Sequence, residues 1–287
     1  MKNLNTWNSK SDPHFKNRNV FAFDLDDTLT THTQIFSETL GALEDLGKIG
    51  KKTVLVTGRS AGWADALIKL FPLDGVVAEN GGLILYWKHG RARRDPREEP
   101  VKIFYSSPGK YKNKKDPKFL VSPDTHEGAK KVLKATLKKF PTVKVSSDQD
   151  FRLFDLAIDF AEEVDPPLSF TNADEIRKIF EKFGAVAKVS SIHVNGWWGD
   201  FSKSGGLEYL CQKVWGLSLK NNVVYTGDSP NDAPLFGAAG VSVGVANIES
   251  FLGKVDFVLP QYKTQNEQGR GVVELVKHFL ATTKKKL

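Results

Sequence analysis

Three apolar runs that end in carboxylate or hydroxyl groups constrain this chain more than any other feature. Phe21-Ala22-Phe23 leads into Asp24-Leu25-Asp26-Asp27-Thr28-Leu29-Thr30. Val54-Leu55-Val56 ends in Thr57-Gly58-Arg59-Ser60, and Val223-Val224-Tyr225-Thr226 ends in Gly227-Asp228-Ser229-Pro230-Asn231-Asp232. A short run that is apolar at successive positions suits a strand buried on both faces, as in a parallel sheet covered by helices. Helical patterns separate the runs, at about 34–46, 61–71 (closed by Pro72), 204–215 and 271–281. Alternating strand and helix predicts an α/β fold with a Rossmann-like parallel sheet.

Between residues 84 and 198 the alternation breaks. Strand patterns at 83–87 and 101–105 precede a Lys-, Pro- and Ser-rich stretch, 106–123, that reads as a long loop. A helix at about 125–140 follows, then strands at 143–145 and 156–160. The next helix opens with Thr171 and Asp174 at capping-box spacing and closes at Gly184, before a strand at 186–194. Further strands are expected at 241–245 and 257–259, while Met1–Asn19 is polar and reads as lacking structure. The expected organisation is core 1–83, an inserted α+β domain 84–198, and core 199–287. Two domains also match the usual one per roughly 150 residues.

Composition excludes several classes. One cysteine, Cys211, permits no intrachain disulfide, which argues against a stapled secreted fold. The N-terminus lacks the apolar run of a signal peptide, and no stretch reaches the ~20 apolar residues of a membrane span. A reducing cytoplasm is the expected home. The net charge of +7 has two local sources, the tail lysines 284, 285 and 286 and the run from Lys110 to Lys118. Flexible basic runs are not the ordered basic and aromatic face of a nucleic-acid groove, so nucleic acid is not the expected partner.

The strand ends carry the chemistry. Ligands of parallel α/β sheets bind beyond the carboxyl ends of the strands. There, residues i and i+2 share a side, so Asp24 and Asp26 converge on one pocket and Asp27 points away. Thr57-Gly58 at a helix start can receive a phosphate on free N–H groups, although Thr57 or Ser60 could equally cap the helix. Lys203 can neutralise a phosphoryl oxygen. Ser229, Pro230 and Asp232 suit a helix start, whereas Asp228 sits at a strand end without such a role. Two carboxylates brought to about 4 Å repel by about 4 kcal/mol at an effective dielectric of 20. A hard dication relieves this, and oxygen ligands favour Mg²⁺ over Zn²⁺, since no His/Cys cluster has ligand spacing.

In this order the motifs resemble the haloacid dehalogenase-like (HAD) superfamily. Asp24-x-Asp26-x-Thr28 resembles its first motif, Thr57 its second, Lys203 its third and Gly227-Asp228-x-x-Asn231-Asp232 its fourth. The insertion between the second and third motifs is similar to a C2-type cap. Thr57-Gly58-Arg59 and Glu79-Asn80-Gly81-Gly82 resemble subfamily IIB, with its Cof-like, sucrose-phosphate and mannosyl-phosphoglycerate phosphatases and phosphomannomutase. The resemblance implies a phosphatase of small phosphorylated metabolites, in particular sugar phosphates. Asp24 would be the nucleophile that forms an aspartyl phosphate, and Asp26 the general acid and base. Thr57, Gly58, Lys203 and Asn231 would bind phosphate. Asp24, the Asp26 carbonyl and Asp228 would hold Mg²⁺, with Asp232 behind them. A phosphomutase using the same intermediate and a non-catalytic phospholigand-binding protein remain as alternatives.

For substrate contact the candidates are Arg59, Asn80 and Gly81 on the core side and Arg152, His193 and Asn195 on the insertion. Arg152 could clamp an anion or pair internally with Asp148 or Asp155. Alternation along the last strand of the insertion sets His193 and Asn195 on one face, with Ile192 and Val194 on the other.

Overall fold

The protein is described by a computed structural model covering residues 1–8, 10–91, 97–253 and 257–284. Its strands are β1 (Lys2–Asn3), β2 (Val20–Phe23), β3 (Lys52–Val56), β4 (Gly75–Ala78), β5 (Leu83–Tyr86), β6 (Val101–Ser107), β7 (Lys110–Lys112), β8 (Lys144–Val145), β9 (Asp155–Asp159), β10 (Val186–Val189), β11 (His193–Trp197), β12 (Val223–Gly227), β13 (Val241–Gly244) and β14 (Tyr262–Lys263). The helices are α1 (Ser37–Lys48), α2 (Ala61–Leu70), α3 (Glu127–Lys139), α4 (Phe170–Lys182), α5 (Lys203–Tyr209), α6 (Leu219–Asn222), α7 (Ala233–Ala238) and α8 (Gln268–Lys284).

A ten-stranded sheet runs in the order β1-β14-β13-β12-β2-β3-β4-β5-β6-β7. From β1 to β4 neighbouring strands are parallel, and β5 to β7 extend the sheet antiparallel. All side chains of β2 and β12 are buried, which explains their uninterrupted apolar sequence. On one face Leu43, Leu46, Ile68 and Leu275 from α1, α2 and α8 pack over Phe21 and Phe23. On the other, Leu207 of α5, Leu210 just after it, and Leu235 and Phe236 of α7 pack over Ala22 and Val54. Strands β2, β3 and β12 lie side by side, so their ends deliver Asp24, Thr57 and Asp228 to one rim.

A second sheet, in the order β10-β11-β9-β8, is wholly antiparallel. Helices α3 and α4 cover one of its faces through Val132, Leu156, Ile158, Ile176, Phe180 and Val194. The opposite face carries Lys188, His193 and Asn195 and roofs the rim of the large sheet. The alternation expected of His193, Val194 and Asn195 is therefore present.

Several expectations need correction. Strands β5, β6 and β7 pair into the large sheet, and the second sheet begins only at Lys144, so the change of chain character at 84 marks a turn of strand direction within the large sheet. The stretch 106–123 contains the end of β6 and the edge strand β7. Helix α4 is capped by Ser169, whose hydroxyl accepts from the Asn172 amide, in place of Thr171. No strand forms at 257–259; the edge pairing is made instead by Tyr262 and Lys263. The N-terminal segment is ordered because Trp7, fully buried, stacks on Phe279 at 5.6 Å between ring centroids. Of the tail lysines, Lys285 and Lys286 lie outside the described residues.

Candidate active site

Asp24 leaves β2 with its amide bonded to the Thr226 carbonyl of β12, so the first and fourth motifs share one ladder. The backbone then turns through a left-handed residue, Asp27 (φ 56°). This directs Asp27 outward, where its carboxylate accepts from Gln268 at 3.0 Å, and leaves Asp26 facing the same space as Asp24. Thr28 donates its hydroxyl to Asp228 Oδ1 at 3.0 Å, tying the two acidic loops together.

Lys203 begins α5 behind the Ser202 cap. Its ammonium lies 2.6 Å from Asp24 Oδ1 and 3.2 Å from Asp232 Oδ1. Burial alone would lower its pKa, but the Asp232 and Asp24 carboxylates raise it, so it stays charged. Gly81 makes this placement possible: at φ 104°, a Cβ there would stand 2.1 Å from the Ser202 carbonyl oxygen. Gly227 is similarly constrained, since a Cβ would meet Asp232 Oδ2 at 2.3 Å. Asp232, wholly buried, accepts from the Tyr225 hydroxyl, the Asp228 and Ser229 amides and Lys203. With both oxygens so engaged it shapes the loop and steadies Lys203.

Carboxylate oxygens of Asp24, Asp228 and Asp232 lie within 4.8 Å of one another. Burial, and then the neighbouring carboxylates, push Asp24 up to about 8 even against Lys203. Asp228 is raised well above the ordinary range by burial and by Asp232 and Asp24, and among the described residues no cation pairs with it. A buried excess of negative charge on oxygen ligands is what a hard divalent cation neutralises, so these residues fit Mg²⁺.

Arg59 chelates the Asp26 carboxylate through Nε and Nη2 at 2.8–3.1 Å, and its other face meets Glu162 at 2.7 and 3.2 Å. Glu162 belongs to the roof. Its loop is shaped by Asp159, whose buried carboxylate accepts the amides of Ala161, Glu162 and Glu163. His193 Nε2 lies 3.0 Å from Glu162 but makes no aligned hydrogen bond with it. Although burial opposes it, His193 and Arg59 bring Glu162 down to about 2. No local pattern marks Glu162, because the loop reaches Arg59 only through tertiary packing.

Arg152 is not in the pocket. Its side chain is fully buried, paired with Asp148 and Asp155 at 2.8 Å, and it donates to the Gly58 carbonyl. Asp148 in turn accepts the Ser60 amide. Glu79, also fully buried, receives the amides of Ala61, Leu153 and Phe154, with Ala61 in the core and the others in the insertion. This ionic knot joins the two parts. Asn80 and Asn195 both donate to Asp155 Oδ2 at 3.0 Å, yet they also line the pocket with Gly58 and Asn231. Thr57 is buried, and its hydroxyl accepts the Arg59 amide.

The family model for haloacid dehalogenase-like hydrolases matches residues 21–265. This chain is a haloacid dehalogenase-like hydrolase. The hydrolase is 28% identical over 270 residues to a phosphoglycolate phosphatase of Methanobrevibacter smithii, covering 92% of this chain and 99% of the relative. It is 27% identical over 261 residues to phosphoglycolate phosphatase 1 of Saccharolobus solfataricus, covering 90% and 93%. Its fold is shared with Thermoplasma acidophilum protein 0175, at a TM-score of 0.63 and 20% identity over 91% of this chain and 98% of the other. The sucrose-phosphatase of Synechocystis, solved with sucrose and phosphate, superposes at 0.59, with 20% identity over 92% and 98%. The expected HAD core with its subfamily IIB cap, and the expected phosphatase-type enzyme, agree with these relatives.

Proposed function

We propose that the hydrolase cleaves phosphate monoesters of small metabolites with Mg²⁺ and an aspartyl-phosphate intermediate. One observation carries this: Asp24, buried and held by Lys203, faces Asp26 and Asp228 inside a pocket that the cap roofs. Asp24 Oδ2, which accepts no hydrogen bond among the described residues, attacks phosphorus as the ester P–O bond breaks. Asp26 gives its proton to the departing alkoxide. It then takes one from the water that attacks phosphorus, releasing inorganic phosphate and regenerating Asp24. Lys203 offsets charge on the phosphoryl oxygens, and the Gly58 and Asn231 side of the pocket binds them. Asp24, the Asp26 carbonyl and Asp228 would hold Mg²⁺, which would supply neutralising charge at the transferring group.

The enclosed cavity at the site is about 20 Å³, space for about one water molecule. Substrate must therefore part the cap from the core, and the cap then excludes water. Among candidate substrates phosphoglycolate, named for the relatives above, comes first, ahead of sugar phosphates.

Phosphate release from a panel of phosphorylated metabolites, with and without Mg²⁺, tests the proposal. Release should require Mg²⁺ and fall at least a thousandfold in Asp24→Asn, through loss of the nucleophile. A folded, Mg²⁺-supplied protein that releases phosphate from no compound, or an Asp24→Asn variant as active as wild type, sinks it.

A further inference from the structure

The cations that line the pocket are not equivalent. Arg59 is held by Asp26 and Glu162, and Lys203 by Asp24 and Asp232. Lys188 is different: its side chain makes no ion pair or hydrogen bond among the described residues. It stands on β10 directly opposite Asn195 of β11, and opposed residues of an antiparallel pair project from the same face. That face is the roof of the site. Lys188 also lines a neighbouring cleft of about 990 Å³ between cap and core, shared with Asn231, which leads past Phe170 and Phe251 to solvent. It thus stands where the open cleft meets the closed pocket. The pocket is also lined by Ser191, whose hydroxyl makes no hydrogen bond among the described residues, and by His193, whose buried Nε2 lies 3.0 Å from Glu162 without an aligned hydrogen bond.

The phosphoryl group is accounted for by the core. What remains on the roof is one cation and one hydroxyl, Lys188 and Ser191, without partners among the described residues, with His193 beside them against Glu162. We propose that Lys188 is a specificity-determining residue that binds a carboxylate on the leaving alcohol, with Ser191 and His193 beside it. The preferred substrates are then short phosphate esters of hydroxy acids. The same cation, at the mouth of the cleft, draws such dianionic or trianionic esters inward. This rests on the phosphatase function proposed above and deepens it by naming the residue that reads the substrate.

The test compares kcat/KM for 2-phosphoglycolate and for ethyl phosphate, the same two-carbon ester without the carboxylate. Wild type should favour phosphoglycolate. Lys188→Met should lose roughly tenfold on phosphoglycolate, mainly through KM, and stay within about twofold on ethyl phosphate. Lys188→Arg should keep most of the preference. Because Lys188 is exposed and pairs with none of the described residues, thermal melts should be unchanged, so folding does not confound the result. Equal losses on both esters, no loss on either, or a wild type that handles ethyl phosphate as well as phosphoglycolate overturns the assignment while leaving a phosphatase. So does turnover of sugar phosphates in preference to both. A wild type that hydrolyses no ester overturns the phosphatase function itself.

Discussion

Replacing Asp228 with asparagine removes one buried charge and keeps its shape and the Oδ1 acceptor for Thr28. The three carboxylates it belongs to lie within 4.8 Å. Two unit charges at that separation repel by about 3.5 kcal/mol at an effective dielectric of 20. Lys203 offsets Asp24 and Asp232 but does not touch Asp228. The pKa of Asp228 is raised in the folded state, by burial first and then by its neighbours. A raised carboxyl contributes its full stability below the unfolded pKa, where it is protonated in both states, and loses that contribution as pH rises through the folded pKa. The asparagine variant escapes this loss. In metal-free buffer the two proteins should melt together near pH 4. In alkaline buffer Asp228→Asn should be more stable by about 3 kcal/mol, or roughly 6–12 °C in melting temperature. Mg²⁺ at a hundred times its Kd should stabilise wild type by about 2.7 kcal/mol and leave the variant almost unmoved. Thermal melts with EDTA and with Mg²⁺, at acidic and alkaline pH, give both comparisons. A variant less stable than wild type in alkaline EDTA, or one with an undiminished Mg²⁺ shift, would refute the uncompensated-charge argument. The variant that gains stability should also lose phosphate release, since the strain it relieves belongs to the site.

Two further outcomes follow from the cap junction. Arg152→Met leaves Asp148 and Asp155 buried without their cation, so chemical denaturation should show a loss of about 3–5 kcal/mol, and an unchanged midpoint would remove the ionic knot from the account. Glu162→Gln withdraws the charge that holds Arg59 from the cap side while keeping an acceptor, so kcat/KM should fall about fivefold, near 1 kcal/mol, with little change in melting. A large fall in melting temperature with unchanged kinetics would make Glu162 a purely structural residue.

Much of the site was legible because its signals are local. Asp24, Thr57 and Asp228 each follow a strand buried on both faces, and adjacent parallel strands must present their ends at one rim. Period-two alternation likewise placed His193 and Asn195 on the roofing face, but along the single strand expected at 186–194 it sets Lys188 on the other face; Lys188 joins them because the chain turns back at 190–192 and β10 pairs antiparallel with β11. Arg152 was less tractable. Its neighbours Asp148 and Asp155 in the sequence allowed both an internal pair and a substrate clamp, and only the depth of the junction decides for the pair. Antiparallel strands β5 to β7 look the same in sequence whether they belong to the core or to the insertion, because hydrogen-bonding partners and not residue pattern define a sheet. Trp7 was hidden for a related reason: its partner, Phe279, lies at the other end of the chain.

By itself, the sequence determined the α/β class, the order of the motifs, and the carboxylate, hydroxyl and lysine groups at the strand ends. These follow from periodicity and from the residue types that can end a buried strand. Tertiary structure alone decided that Glu162 grips Arg59, that Glu79 and Arg152 lock cap to core, and that Lys188 has no partner among the described residues. Whether a charge is satisfied depends on which distant groups come within about 3 Å of it, and no local pattern encodes that distance.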